Sequence, residues 1–214
     1  MPTISTMRIE KLSGSPDRAG RYHACFDNGD TLRLYRQTVE DFGLYPGMEM
    51  TDEDYSRLLL AAAQMSAKMR AVRIVSASSV SKRDLEHRLV QKGEDPEQAK
   101  AAVRWMEDMD LLDDRKTAEQ IVNRCIHKGY GLMRAKQALY EKQIPKHLWA
   151  DALADYPDQE DYIREYLCEK LSDPADQKQV KKAIDALIRR GHSYGAIRRQ
   201  LEKLSLSTQD FLED

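Results

Sequence analysis

Hydrophobic positions along the chain change period at residue 51. Before it they alternate: polar residues separate Tyr22, Ala24 and Phe26, and Leu32 and Leu34 repeat that period of two. Alternation of this kind predicts half-buried strands, and Met7 to Leu12 predicts another. Between the two alternating runs lies Asp27-Asn28-Gly29-Asp30, whose Asn-Gly is the favoured centre of a two-residue hairpin turn. Gln37 to Phe42 predicts a helical turn or two before the Pro46-Gly47 break. Residues 1–50 thus read as a small β-hairpin module, too small to stand alone.

From Thr51 onward the period is that of a helix. Thr51 with Asp54 forms a capping box, and Leu58, Leu59, Ala62, Met65, Met69 and Val72 stripe the first long helix as far as Ser76. A helix over Lys82 to Lys92 ends at Gly93, and Pro96 starts the next, which should bury Ala99, Ala102, Val103, Met106 and Met109. Ala118, Ile121, Val122, Cys125 and Ile126 stripe a helix leading to Gly129. Leu148, Trp149, Ala152 and Leu153 mark another, closed by Pro157. Residues 158–171 predict a helix before the Asp173-Pro174 break. Val180, Ala183, Ile184, Leu187 and Ile188 stripe the helix before Gly191; its successor ends at Leu204, and Ser207 to Phe211 start a last short one.

One unit recurs. Lys128-Gly129-Tyr130-Gly131 and the helix after it return 62 residues later as Arg190-Gly191-His192-Ser193, with Ala135 on Ile197, Lys136 on Arg198 and Leu139 on Leu201. A fainter copy lies 50 residues upstream, with Ser81 for Gly131, Leu85 for Ala135 and Leu89 for Leu139. The unit reads as a helix stop, a left-handed glycine and a new helix, capped by serine at Ser81 and Ser193. Gly129 and Gly191 should therefore have positive φ, and Ala at Gly129 should cost roughly 1 kcal/mol. The pattern of helix A, glycine turn, helix B, short link and helix C, three times over, predicts a mainly α fold. It is an elongated tandem array of three three-helix repeats (51–112, 113–157 and 158–214) behind the β-hairpin module. Each repeat buries little alone and must stack on its neighbours. Trp105 and Trp149 fall in successive helices C and are read as packing residues.

Charge changes this picture by its distribution. The net charge is −2, so no global basic field announces nucleic acid. Yet residues 61–93, 115–148 and 176–204 carry +5, +6 and +5, while 94–114 and 149–175 each carry −6. Each basic block holds one copy of the repeated unit. Solvated helix faces with mutual ion pairs account for this, and so does a basic stripe along one side of the array. The stripe would centre on the second and third helix B, with Lys128, Arg134, Lys136, Lys142, Arg190, Arg198 and Arg199 as candidate binding residues. Lys136 and Arg198 should point the same way, and the acidic segments led by Glu107/Asp108 and Asp151/Asp155 should lie away from them.

Candidate chemistry is sparse. Cys25, Cys125 and Cys168 show no metal or disulfide spacing, and no P-loop, nucleophile elbow or HExxH motif appears. Asp113-Asp114 fits helix capping better than metal binding. No catalytic residue, metal or cofactor is expected. The chain has no apolar run near 18 residues, so a cytoplasmic location without membrane contact is expected, and a self-capping array needs no second chain.

The order Ser81-x-x-Asp84-Leu85-x-x-x-Leu89-x-x-Lys92-Gly93, Leu112-Asp113-Asp114, Lys128-Gly129-Tyr130-Gly131-x-x-Arg134 and Arg190-Gly191 resembles the RecX family, regulators of the RecA recombinase. The resemblance covers residues 70–204, and the module before it resembles an N-terminal extension found in part of the family. Two positions depart from the pattern: Lys142-Gln143-Ile144 stands where the family has Lys-Gly-Ile, and His192 where an aromatic usually follows the third glycine. The resemblance implies a non-enzymatic protein of recombination, DNA repair and the SOS response. Such proteins lie along the groove of the RecA–single-stranded DNA filament and inhibit its extension, ATP hydrolysis and strand exchange. Single-stranded DNA would be met directly or through RecA. A RecA-independent DNA-binding protein, or a helical-repeat scaffold for another protein, is the alternative.

Overall fold

The structure, a computed structural model, describes residues 6–172 and 176–210. They fall into two compact units: one holds residues up to Ser78 with Leu85–Leu112, the other Ser79–Asp84 with the chain from Asp113 onward.

In the first unit β1 (Thr6–Leu12), β2 (Arg21–Phe26), β3 (Thr31–Tyr35) and β4 (Glu49–Thr51) form one antiparallel sheet in the order β3-β2-β1-β4. A short helix α1 (Arg36–Asp41) follows β3. The three-residue β4 was not foreseen, because so short a segment shows no alternation. The hairpin turn also differs from expectation. Gly29 donates to the Phe26 carbonyl at 3.0 Å and Phe26 to the Asp30 carbonyl at 2.9 Å. Only Gly29 of the loop takes positive φ, 89°. This is a three-residue loop closed by a glycine bulge, so Asn28 need not be left-handed.

Ile9, Ala24, Phe26 and Leu34 of the sheet pack with Tyr55 and Leu58 of α2 (Asp52–Ala77). The Phe26 and Tyr55 rings meet edge-on at 5.0 Å, and the Tyr55 hydroxyl donates to Asp30 Oδ2 at 2.6 Å. Burial, then the Asp30 bond, pushes the Tyr55 phenol up to about 12. The sheet thus completes its core on α2, consistent with a module that cannot stand alone. At the start of α2, Thr51 Oγ1 accepts the Asp54 N–H at 3.1 Å and donates to the Asp54 carboxylate at 2.9 Å.

The expected stripe on α2 needs correction. The buried positions are Tyr55, Leu58, Ala67, Ala71 and Ile74, while Leu59 is 40% exposed. The helix serves two faces in succession: its first turns meet the sheet, and later turns pack on α4 (Pro96–Asp108). The small side chains of Ala67 and Ala71 permit close helix packing where larger neighbours would hold the axes apart. α4 buries Ala99, Ala102, Val103 and Met106, but Met109 is 56% exposed. It is the C-cap, followed by Asp110 at φ 55°, so it lies past the helical stripe.

The second unit contains α5 (Asp114–His127), α6 (Leu132–Glu141), a 3-10 turn (Lys146–Leu148) running into α7 (Trp149–Leu153), α8 (Glu160–Lys170), α9 (Gln177–Arg189) and α10 (Tyr194–Asp210). One core gathers Ala118, Ile121, Val122, Leu139 and Ile144, with Trp149 against it. The Trp149 indole donates to the Ile144 carbonyl at 3.0 Å, a packing role. A second core gathers Ile163, Leu167, Leu171, Ala183, Leu187 and Ile197. α8, which precedes the third glycine turn, is therefore its third wall. α10 runs unbroken through Leu204 to Asp210, so the expected short helix from Ser207 belongs to α10; Phe211 and the Asp173-Pro174 break lie outside the described residues.

Asp113 and Asp114 serve two different helices. Asp113 caps α5, accepting the N–H groups of Arg115 and Lys116 at 2.8 and 3.3 Å. Asp114, itself 8% exposed, accepts the Lys82 N–H at 2.8 Å, at the N-terminus of α3 (Lys82–Gln91). Ser81 caps the same helix, accepting the Asp84 N–H at 3.1 Å. Among the described residues no helix is long and apolar enough to cross a membrane.

Candidate functional site

Gly129 and Gly191 end α5 and α9 at φ 62° and 89°. Behind Gly129 the Tyr130 N–H returns to the Cys125 carbonyl at 2.9 Å; behind Gly191 the His192 N–H returns to Leu187 at 3.1 Å. These bonds satisfy carbonyls that a helix end leaves orphaned. The two turns also bind one another. Gly131 donates to the Arg190 carbonyl at 2.9 Å and Met133 to the Gly191 carbonyl at 3.3 Å. The free N–H groups at the start of α6 thus find the free carbonyls at the end of α9, and the two helix dipoles meet with opposite partial charges.

This joint leaves no room for side chains. A Cβ on Gly131 would stand 2.1 Å from the Gly191 oxygen, one on Gly191 would stand 2.3 Å from the Arg134 nitrogen, and one on Gly129 would stand 2.1 Å from the Tyr162 ring. The expected cost of about 1 kcal/mol for Ala at Gly129 covers backbone strain alone and is too small, because the Tyr162 ring must also move. His192, 6% exposed, stacks on Tyr162 with centroids 5.5 Å apart, and its Nε2 bonds the Gly129 carbonyl at 3.0 Å. Burial holds its pKa below the ordinary value; the Gly129 bond opposes that shift and the Arg190 charge adds to it.

The seven expected basic residues do not form a single group. Arg190 belongs to the joint: its guanidinium lies 5.8 and 5.6 Å from the Tyr162 and Tyr166 ring centres and bonds the Tyr162 hydroxyl. Arg199 donates twice to Glu160, at 3.1 and 2.8 Å, fastening α10 to α8. Those bonds, with Lys203, keep the Glu160 carboxyl below its usual range. Arg198 pairs one turn on with Glu202 at 2.7 Å. Lys136 sits half-buried in the middle of α6.

Lys128, Arg134 and Lys142 do converge. Together with Arg124 they line a cavity of about 140 Å³ between α5 and α6, with Cys125 and Tyr130 also in its wall. Glu141 is the single carboxylate there, and Arg134 holds it at 3.2 Å. Burial pushes the Cys125 thiol up, while Arg134, Lys128 and Arg124 pull it back, so the thiol is a neutral wall under a positive field. Sequence reasoning passed over Arg124. Its spacing of four from Lys128, which puts both on one helix face, was the available signal.

The family description "RecX, second three-helix domain" matches residues 113–153, the segment that builds this cavity from α5 and α6. A regulatory protein RecX of Clostridioides difficile is 24% identical over 92% of this chain and 94% of its own length. A regulatory protein RecX of Vibrio campbellii is 28% identical over 64% of this chain and 91% of its own. The chain is thus similar to regulatory RecX proteins, and its second three-helix segment matches their family description. A crystal structure of regulatory protein RecX shares its fold at a TM-score of 0.62, with 20% identity, covering 90% of this chain and 99% of that one. RecX from Lactobacillus salivarius gives 0.57 at 22% identity, over 68% of this chain.

Both departures from the RecX pattern have structural counterparts. Gln143 takes φ 54° behind α6, and Ile144 returns to the Leu139 carbonyl at 3.0 Å. A glutamine therefore occupies a left-handed position where the RecX elbow has glycine. His192 presents a flat ring to Tyr162, as the usual RecX aromatic could, and adds the bond to Gly129.

Proposed function

We propose that this chain regulates homologous recombination and DNA repair by binding the RecA–single-stranded DNA filament. It inhibits filament extension, ATP hydrolysis and strand exchange, and it catalyses no reaction of its own. Likeness to regulatory RecX proteins over nine-tenths of the chain carries the reading. The repeats 51–112, 113–157 and 158–214 act together as one cytoplasmic monomer. Of the basic residues, Lys128, Arg134, Lys136 and Lys142 on the second repeat are the contact candidates with fewest other duties. Arg198 remains a candidate beyond its exposed pair with Glu202, whereas Arg190 and Arg199 also hold the fold. A protein partner suits a net charge of −2, since DNA alone is usually met by a strongly basic surface.

The test is RecA-catalysed ATP hydrolysis on single-stranded DNA with this protein titrated in. The rate should fall to a floor as the protein approaches stoichiometry with RecA. An unchanged rate at that ratio defeats the reading.

A further inference from the structure

The basic cavity has a neighbour. On the other flank of the C-terminal turn of α6 lies a groove of about 590 Å³ lined by Arg83, Tyr140, Lys146 and Trp149, and Glu141 lines both hollows. Tyr140 is 65% exposed, so its ring face is open to a planar partner. The Trp149 indole is fixed by its bond to the Ile144 carbonyl, so that wall is rigid. Every residue of both hollows belongs to the second unit. One hollow holds four cations against one carboxylate, and the other pairs aromatic rings with two further cations.

Phosphate next to base is the repeating pattern of a single nucleic-acid strand. Proteins that bind such strands without reading sequence combine cations along the backbone with aromatic rings on which bases stack. We infer that the end of α6 is a direct seat for single-stranded DNA, with a phosphate in the cavity of Arg124, Lys128 and Lys142 and a neighbouring base on Tyr140 beside Trp149. The inference rests on the filament reading above and sharpens it: this protein touches the strand itself in addition to RecA. Duplex DNA keeps its bases stacked inside and cannot use the aromatic groove, so the seat prefers single strands. Glu141 gives the shared wall a carboxylate that Arg134 holds back from the phosphate.

The experiment needs no RecA. Fluorescence anisotropy of a labelled oligothymidylate is measured against the full chain across a salt series. The wild-type protein should bind it, more tightly than a duplex of equal length. Tyr140→Ala, at an exposed position, should weaken binding about 5- to 100-fold with little change in salt slope. The pair Arg124→Gln and Lys142→Gln should lower the slope of log K against log salt by about 0.7, the value for one phosphate contact on a single strand. Circular dichroism of each variant confirms the fold. Absent binding by the wild type, or unchanged affinity and slope in both folded variants, overturns the inference even if RecA ATPase inhibition is intact. Loss of oligonucleotide binding in the variants, with no RecA inhibition by the wild type, upholds the seat and defeats the filament reading.

Discussion

Substituting Gly131→Ala separates two reasons for a glycine. The residue sits at φ −76°, ψ 164°, extended backbone open to any side chain. Backbone freedom therefore gives no reason for glycine here, and by itself alanine would stabilise by about 0.4–1 kcal/mol through the unfolded chain. The new Cβ, however, would lie 2.1 Å from the Gly191 oxygen and 2.5 Å from the His192 nitrogen. Carbon–oxygen contacts settle near 3.3 Å, so the two backbones must part by roughly 1 Å. The bonds from Gly131 to Arg190 (2.9 Å) and Met133 to Gly191 (3.3 Å) then exceed hydrogen-bonding range, and His192 draws back from Gly129. Two or three lost bonds at about 1 kcal/mol each, less the unfolded-chain gain, leave a net loss of about 2 kcal/mol. Gly195→Ala is the control in the same unit: Gly195 lies in the first turn of α10, and its Cβ would meet only the flexible tip of Arg199 at 3.8 Å. That change should stabilise by about 0.5–1 kcal/mol. Urea unfolding followed by circular dichroism reads both as shifts in midpoint at constant slope. If Gly131→Ala is neutral or stabilising, the turns do not hold each other as described.

Three further outcomes follow from local geometry. Gln143→Gly should raise stability by about 1 kcal/mol in the same urea assay, because a left-handed non-glycine residue costs about 1–2 kcal/mol; a loss would place the strain elsewhere. Asp114→Ala should cost about 1 kcal/mol through the lost cap on Lys82, so an unchanged midpoint would show that cap to be idle. His192 has a folded pKa below its ordinary 6.5, so its contribution is fully present above pH 6.5 and is lost as pH falls from there through the lower folded value. His192→Phe keeps a ring on Tyr162 and removes that titration. Its stability should therefore fall less than wild type between pH 7 and 5, and parallel curves would refute the burial argument.

Local chemistry was legible in the sequence, and partnership across distance was not. Thr51, Ser81, Pro96 and Asp113 each act within a few residues, and all of them mark helix starts as their types require. The glycine offsets of 62 gave the positive φ at Gly129 and Gly191. What the offsets could not tell is that the two copies touch, since a repeat predicts like geometry and says nothing of mutual contact. The face of α2 was misread for a similar reason: periodicity averages over a helix, while this one changes its packing partner along its length. Charge was the least transferable signal. Arg199 and Lys142 look alike in sequence, yet Arg199 meets Glu160, 39 residues earlier in the chain, and Lys142 faces a cavity.

That contrast bears on how RecX-like function should be probed in this chain. Gly129, Gly131, Arg190 and Gly191, among the residues by which the family is recognised, are the ones that build the joint. A substitution there alters the setting of α6 against α9, so a weaker response in the proposed filament assay would have two explanations, a lost contact or a moved helix. Charge reversal at Arg199 would have the same defect, because it would set a second carboxylate against Glu160, which Arg199 now neutralises. Arg124 and Tyr140 are exposed, Lys142 is half-buried at the cavity wall, and none is needed by the joint. Their substitution changes the surface while α6 keeps its seat, so a change in binding at those positions reports on the partner. The joint fixes where α6 points, and the less recognisable residues on its flanks decide what it meets.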